Sequence, residues 1–183
     1  MFSGARMKKY TATAIVVHWL MAVGLFGMFA FGLYMADLPV SPDKLKYYSW
    51  HKWAGVTLFT LLVFRILWRI THRPPALPAH MGPGEQFVAH AGHGMLYLLM
   101  LAIPLSGWLM SSAKGIQTVL FGVLPIPDLL ERNKELGSLL QTAHWALNML
   151  LAAVVVGHVA AALKHHFIDK DDVLNRMLPS KKL

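Results

Sequence analysis

Four long apolar runs constrain this chain more than any other feature. They cover about residues 13–35, 50–70, 88–112 and 138–163. Each supplies the roughly 20 mostly apolar residues that a helix needs to cross a hydrocarbon core of about 30 Å. Hydrocarbon offers no partner to backbone N–H and C=O groups, so such runs fold as helices, which satisfy those groups internally. The expected fold class is all-α, an integral membrane four-helix bundle forming a single transmembrane domain over residues 1–183. A charged fraction of only 14% agrees with that class. The first run is too long for a signal-peptide core and has no convincing cleavage site, so it reads as a retained span.

The connections are polar or broken. Pro39, Ser41, Pro42 and Asp43 mark a turn after the first span, and HRPPALPAHMGPGE after the second cannot continue a helix. Pro104 predicts a kink in the third span. The stretch GIQTVLFGVLPIPDLL is too short and too interrupted to span, so an interfacial loop or a short amphipathic helix is expected there.

An even number of spans places both termini on one side, and basic residues say which. The side with the termini and the second loop carries Arg6, Lys8, Lys9, Arg65, Arg69, Arg73, Lys164, Lys170, Arg176, Lys181 and Lys182. The other carries Lys44, Lys46, Lys52, Lys114, Arg132 and Lys134. With four and five acids subtracted respectively, the two sides stand at +7 and +1. The positive-inside rule therefore predicts cytoplasmic termini. The basic residues cluster on no folded soluble face, which argues against nucleic acid as a partner.

Histidine placement then points to chemistry. His144 and His158 bracket thirteen residues, eleven of them apolar. Fourteen positions make roughly four helical turns and a rise of about 21 Å, so both imidazoles leave one face near opposite sides of the membrane. Orientation converts the other positions into depth: His18 is inner and His51 is outer, while His144 is outer and His158 inner. Only like depths can share an iron, which pairs His18 with His158 and His51 with His144, each pair from two helices. A buried imidazole is costly unless its lone pair has a partner, and haem iron is one. Taken singly, any of these histidines is more often a hydrogen-bonded interface residue; the matched depths favour ligation. The chain has no cysteine, which excludes disulfides, thiolate clusters and covalent haem attachment, so any haem is b-type. The small residues Gly55, Ala14, Ala22, Ala143 and Gly157 would let a porphyrin lie near the backbone.

The runs IVVHWLM, HKWAG from His51, HAGHGMLYLLMLAIPLSGW and HWALNMLL…GHVAAALKHHF together resemble the bacterial four-helix di-haem cytochromes b. The stand-alone membrane type that acts as a superoxide:ubiquinone oxidoreductase is the nearest likeness, over residues 8–179. It implies an inner-membrane protein with two haem b groups, on His18 with His158 and on His51 with His144. It further implies ubiquinone near the inner haem, superoxide giving up its electron near the outer one, and His165 at the quinone. Helical angle agrees, since His165 falls about 20° from the His158 face whereas His166 turns away.

Other residues are weighed beside these. His93, with His90 one turn before it, stands at the inner end of the third span, where it is expected to bond a propionate or quinone or to replace an inner ligand. Arg65 follows His51 by fourteen residues on the same face and is expected to pair with an inner propionate or to snorkel to headgroups. His72 and His80 are expected in solvent, and the six tryptophans in interfacial belts. Lys44, Lys46, Lys52, Lys114, Arg132 and Lys134 are candidates for steering superoxide. Gly24 and Gly27 are a weak signal for a homodimer. A membrane subunit of a hydrogenase or formate dehydrogenase is a rival reading, although such subunits are usually longer. A haem-free metal transporter is another, against which stand the absence of deep carboxylates and the pairing by depth.

Overall fold

The computed structural model describes residues 9–179; Arg6, Lys8, Lys181 and Lys182 of the charge pattern lie outside the described residues. Four helices account for most of the chain: α1 (Ala12–Asp37), α2 (Pro42–Thr71), α3 (Pro83–Ala113) and α4 (Lys134–Phe167). All four are long and apolar enough to cross a membrane, so the predicted helical membrane bundle is the observed architecture. Each helix overshoots its apolar run, and polar side chains cap the N-termini of α1, α2 and α4. Thr11 Oγ1 accepts the Ala14 N–H, Ser41 Oγ the Lys44 N–H and Asn133 Oδ1 the Leu136 N–H. Pro42 and Pro83 stand in first turns, where no intrahelical N–H is needed. Helix α3 runs on through Pro104.

Helix α1 packs on α2 and α3 on α4, and the two hairpins meet where α2 touches α3. Gly24 sets the first contact: a Cβ there would stand 2.7 Å from Leu58 Cδ2, so its small size brings α1 against α2 within one chain. A small core of Val17, Met21 and Leu62 sits between the hairpins, with Tyr97 and Met100 against it. Val23, Phe26, Leu98 and Val156 are exposed, an outward apolar surface that matches a bilayer as solvent.

The stretch between α3 and α4, expected as an interfacial loop or a short amphipathic helix, is a two-stranded antiparallel hairpin. Strands β1 (Thr118–Leu120) and β2 (Leu124–Ile126) pair with Thr118 opposite Ile126. Phe121 and Gly122 turn the chain with φ of 51° and 75°, a left-handed conformation that glycine takes freely and phenylalanine rarely. Helix side chains fasten this hairpin: Trp53 Nε1 donates to Val119 O at 2.7 Å, Lys52 Nζ to Ile116 O at 2.8 Å and Trp108 Nε1 to Pro127 O at 3.0 Å.

At the other end the segment after α4 folds back over the bundle. Trp19 Nε1 donates to Met177 O at 2.8 Å, and Arg176 Nη1 donates to Ala76 O at 2.6 Å. His72 is exposed, as expected, and stacks on Trp68 with ring centres 4.0 Å apart. Several tryptophans expected only as interfacial anchors therefore also tie backbone segments together.

Candidate functional site

His18 on α1 and His158 on α4 meet at the end of the bundle that carries the termini. Their ring centres are 6.3 Å apart at an interplanar angle of 66°. A metal–nitrogen bond of about 2 Å with about 1 Å more to each ring centre gives a span of about 6 Å for two imidazoles facing one metal. His93 on α3 reaches the same place, its ring centre 5.3 Å from that of His158. His93 Nδ1–H donates to Ala89 O at 2.7 Å, which leaves Nε2 with its lone pair.

Arg65 comes in from α2. Its Nε donates to the Tyr97 hydroxyl at 3.2 Å, and Nη2 lies 3.3 Å from His18 Nδ1. Nη1 is buried with no hydrogen-bond partner. Arg65 is thus held inside the bundle beside the histidines rather than snorkelling to the surface. A buried guanidinium N–H is costly unpaired, and a carboxylate is its natural complement.

At the opposite end, on the same helix α4, His144 is oriented by α3. Its Nδ1–H donates to Ile103 O at 3.1 Å and lies 2.9 Å from Ser106 Oγ, whose own O–H donates to Ile103 O at 2.7 Å. The carbonyl fixes the proton on Nδ1, which leaves the Nε2 lone pair open to a ligand. A Cβ on Gly107 would stand 3.2 Å from His144 Cε1. His51 on α2 lies within electrostatic range of His144, and its buried Nδ1 has no partner. A Cβ on Gly32 would be 3.4 Å from His51 Cε1.

These features fit a haem b group: two imidazoles at the spacing a shared metal needs, a histidine whose proton is fixed on Nδ1, two unpartnered buried nitrogens, and glycines where a side chain would press on a histidine ring. Gly32 and Gly107 join the small residues expected to serve: a Cβ on either would press on a histidine ring, whereas one on Gly157 would meet nothing within 4 Å and one on Gly55 only Met28. Ser106 and Tyr97 also escaped the sequence reading. The LSGW run carries Ser106 and Gly107 at the depth of His144 once α3 and α4 are antiparallel, but nothing in its spacing marks them.

The remaining candidates divide by end. His165 closes α4 with Nδ1 2.7 Å from Asp171 Oδ2. At the hairpin end, Lys44 donates to the carbonyls of Ala36 and Leu38, and Lys46 lies over the Trp50 ring at 5.0 Å. Lys114 donates to Gln141 Oε1, and burial pushes its ammonium below the usual lysine range. Arg132 packs on Gly115, and Lys134 begins α4.

A membrane-spanning helical bundle with histidines paired across its helices, and no cysteine to attach a porphyrin covalently, defines a b-type membrane cytochrome. The chain matches prokaryotic cytochrome b561 over residues 9–180, and it belongs to that family. It is 38% identical over 172 residues to cytochrome b561 homolog 2 of Escherichia coli K12, covering 93% of this chain and 92% of the relative. It is 29% identical over 185 residues to the probable superoxide oxidase CybB of Yersinia pestis, covering 96% and 98%. Cytochrome b561 homolog 1 of Escherichia coli K12 is 26% identical over 185 residues, covering 96% and 100%. The protein is a bacterial membrane haem protein of electron transport, an oxidoreductase that binds haem b within a bilayer.

Proposed function

We propose that this chain is a superoxide:ubiquinone oxidoreductase of the bacterial inner membrane, with two haem b groups and cytoplasmic termini. The observation that carries the reading is the pair His18–His158, with ring centres 6.3 Å apart, and His144 oriented by Ile103 at the far end of the same helix as His158. Similarity to the probable superoxide oxidase CybB supports the substrate, and the charge asymmetry supports the orientation.

Haem supplies the one-electron redox chemistry linking superoxide oxidation at the periplasmic side to ubiquinone reduction near the cytoplasmic side. The residues do the rest. His18 and His158 hold one group, His51 and His144 the other. Ile103 and Ser106 keep the His144 ring in its ligating tautomer, and Arg65 neutralises a propionate. Lys44, Lys46, Lys52, Lys114, Arg132 and Lys134 draw the superoxide anion to the outer face, where its oxidation to oxygen needs no acid or base. His165 hydrogen-bonds the quinone at the cytoplasmic end, and His93 assists in proton delivery.

The test is stopped-flow absorbance of the oxidised, haem-loaded protein mixed with superoxide, with and without ubiquinone. Fast haem reduction, followed by reoxidation only when quinone is present, is the expected result. Haem bands that ignore superoxide but respond to quinol or a protein partner would overturn the superoxide assignment.

A further inference from the structure

The end of the bundle bearing His165 holds a second line of ionisable groups, apart from the histidine pairs. Asp171 Oδ2 lies 2.7 Å from His165 Nδ1 and 3.4 Å from His80 Nε2, so two imidazoles share one carboxylate oxygen. Asp171 Oδ1 accepts the Val173 N–H at 3.0 Å, which fixes the carboxylate so that Oδ2 is the shared atom. The side chains are graded in exposure, 56% for His80, 9% for Asp171 and 13% for His165. The three come from separate pieces of chain: the α2–α3 loop, the segment after α4, and α4 itself.

Neighbouring charges are otherwise engaged. Asp169 Oδ2 also lies 3.2 Å from His165 Nδ1, but Lys164 Nζ is 2.7 Å from that oxygen and bridges on to Glu85 at 3.2 Å. Arg176 is paired with Asp172 at 2.6 Å and donates to Ala76 O. Asp171 is therefore the carboxylate whose partners are both imidazoles.

We propose that His80, Asp171 and His165 form a proton relay from the cytoplasm to the quinone, an inference that rests on ubiquinone being reduced at His165. Reduction adds two electrons and two protons to the quinone, one proton on each carbonyl oxygen. The electrons come from two superoxide ions, each leaving as oxygen. At rest His165 carries a proton on each nitrogen, with Nδ1–H donated to Asp171 Oδ2. In each transfer it releases its Nε2 proton to a quinone oxygen, and the neutral ring moves its remaining proton from Nδ1 to Nε2 by exchange with water. Doubly protonated His80 then gives its Nε2 proton to Asp171 Oδ2, which hands it to the vacated His165 Nδ1, and His80 reloads from solvent. Neither Asp171 nor His80 touches quinone; they act through His165.

The experiment follows reoxidation of the pre-reduced, haem-loaded protein by a water-soluble ubiquinone analogue in wild type, His80→Ala and Asp171→Asn. His80 stands on an exposed loop, so its removal leaves the bundle and haem content unchanged. Expected is reoxidation about 10-fold slower in both variants at about pH 8, with the deficit shrinking towards about pH 6, where solvent supplies protons readily. Haem reduction by superoxide should stay at the wild-type rate, and added imidazole should restore His80→Ala but not Asp171→Asn. Wild-type reoxidation by His80→Ala at every pH would overturn the relay, as would a deficit that neither pH nor imidazole alters. If wild type itself is not reoxidised by quinone, the quinone reading fails, a result distinct from either.

Discussion

Gly107→Ala tests whether the His144 ring is set by its glycine. The new methyl would stand 3.2 Å from His144 Cε1 and 3.4 Å from Nδ1, so the ring must retreat by a few tenths of an ångström. It cannot retreat freely, because Nδ1 is held by Ile103 O at 3.1 Å and by Ser106 Oγ at 2.9 Å. Overpacking of this kind costs about 1–3 kcal/mol, or roughly 5- to 150-fold weaker retention of the group on that histidine. Helix propensity works the other way, since alanine in a helix interior gains about 0.8–1 kcal/mol over glycine. The variant should therefore fold and insert normally yet carry less haem. Haem per polypeptide by pyridine haemochrome should fall from two towards one, and a redox titration should lose one component while keeping the other. Gly27→Ala is the control, because a Cβ there meets nothing within 4 Å. Full haem content and both midpoints in Gly107→Ala, or an equal loss in Gly27→Ala, would refute the reasoning.

Three further outcomes follow from the geometry. His18→Ala and His158→Ala should each abolish one redox component, and His51→Ala and His144→Ala each the other; a crossed result in redox titration would break the pairing. Arg65→Gln removes a positive charge that favours the reduced state, and should lower the midpoint of the component held by His18 and His158 by about 40 mV for each 1 kcal/mol of lost interaction, read in the same titration. Burial alone would raise Asp171, but the Val173 N–H, His165 and His80 outweigh it and hold the carboxyl below its usual range. Its stabilising contribution is present above the ordinary carboxylate pKa of about 3.9 and is lost as pH falls through the depressed value, so acid should expose the segment after Phe167 to proteolysis, an effect that Asp171→Asn reproduces at neutral pH.

Spans, and the meeting of His18 with His158 from two helices, were legible because the bilayer imposes a length and a cost that any sequence must show. Thr13 and Met35 bound an apolar run for the same reason that Ala12–Asp37 is one helix. Contacts made by side chains from distant positions were not legible in that way. His80 reads as a solvated loop residue until the segment after α4 brings Asp171 to it. Gly107 is one small residue among fourteen glycines until α4 sets His144 against it. The hairpin escaped because its strands are three residues long and its turn uses Phe121 in a conformation that bulky residues seldom take.

Helix α4 carries one member of each proposed ligand pair, and it is the last α-helix among the described residues. Its partners, His18 and His51, belong to the first hairpin. Each pair would therefore clasp one half of the molecule to the other, across a boundary where the hairpins otherwise meet mainly through α2 and α3. During synthesis the His51–His144 clasp cannot close before residue 144 has left the ribosome, nor the His18–His158 clasp before residue 158, and both need α4 in the lipid. Cofactor retention would then report that α4 has been inserted, and a chain truncated before α4 would lack one proposed ligand of each group.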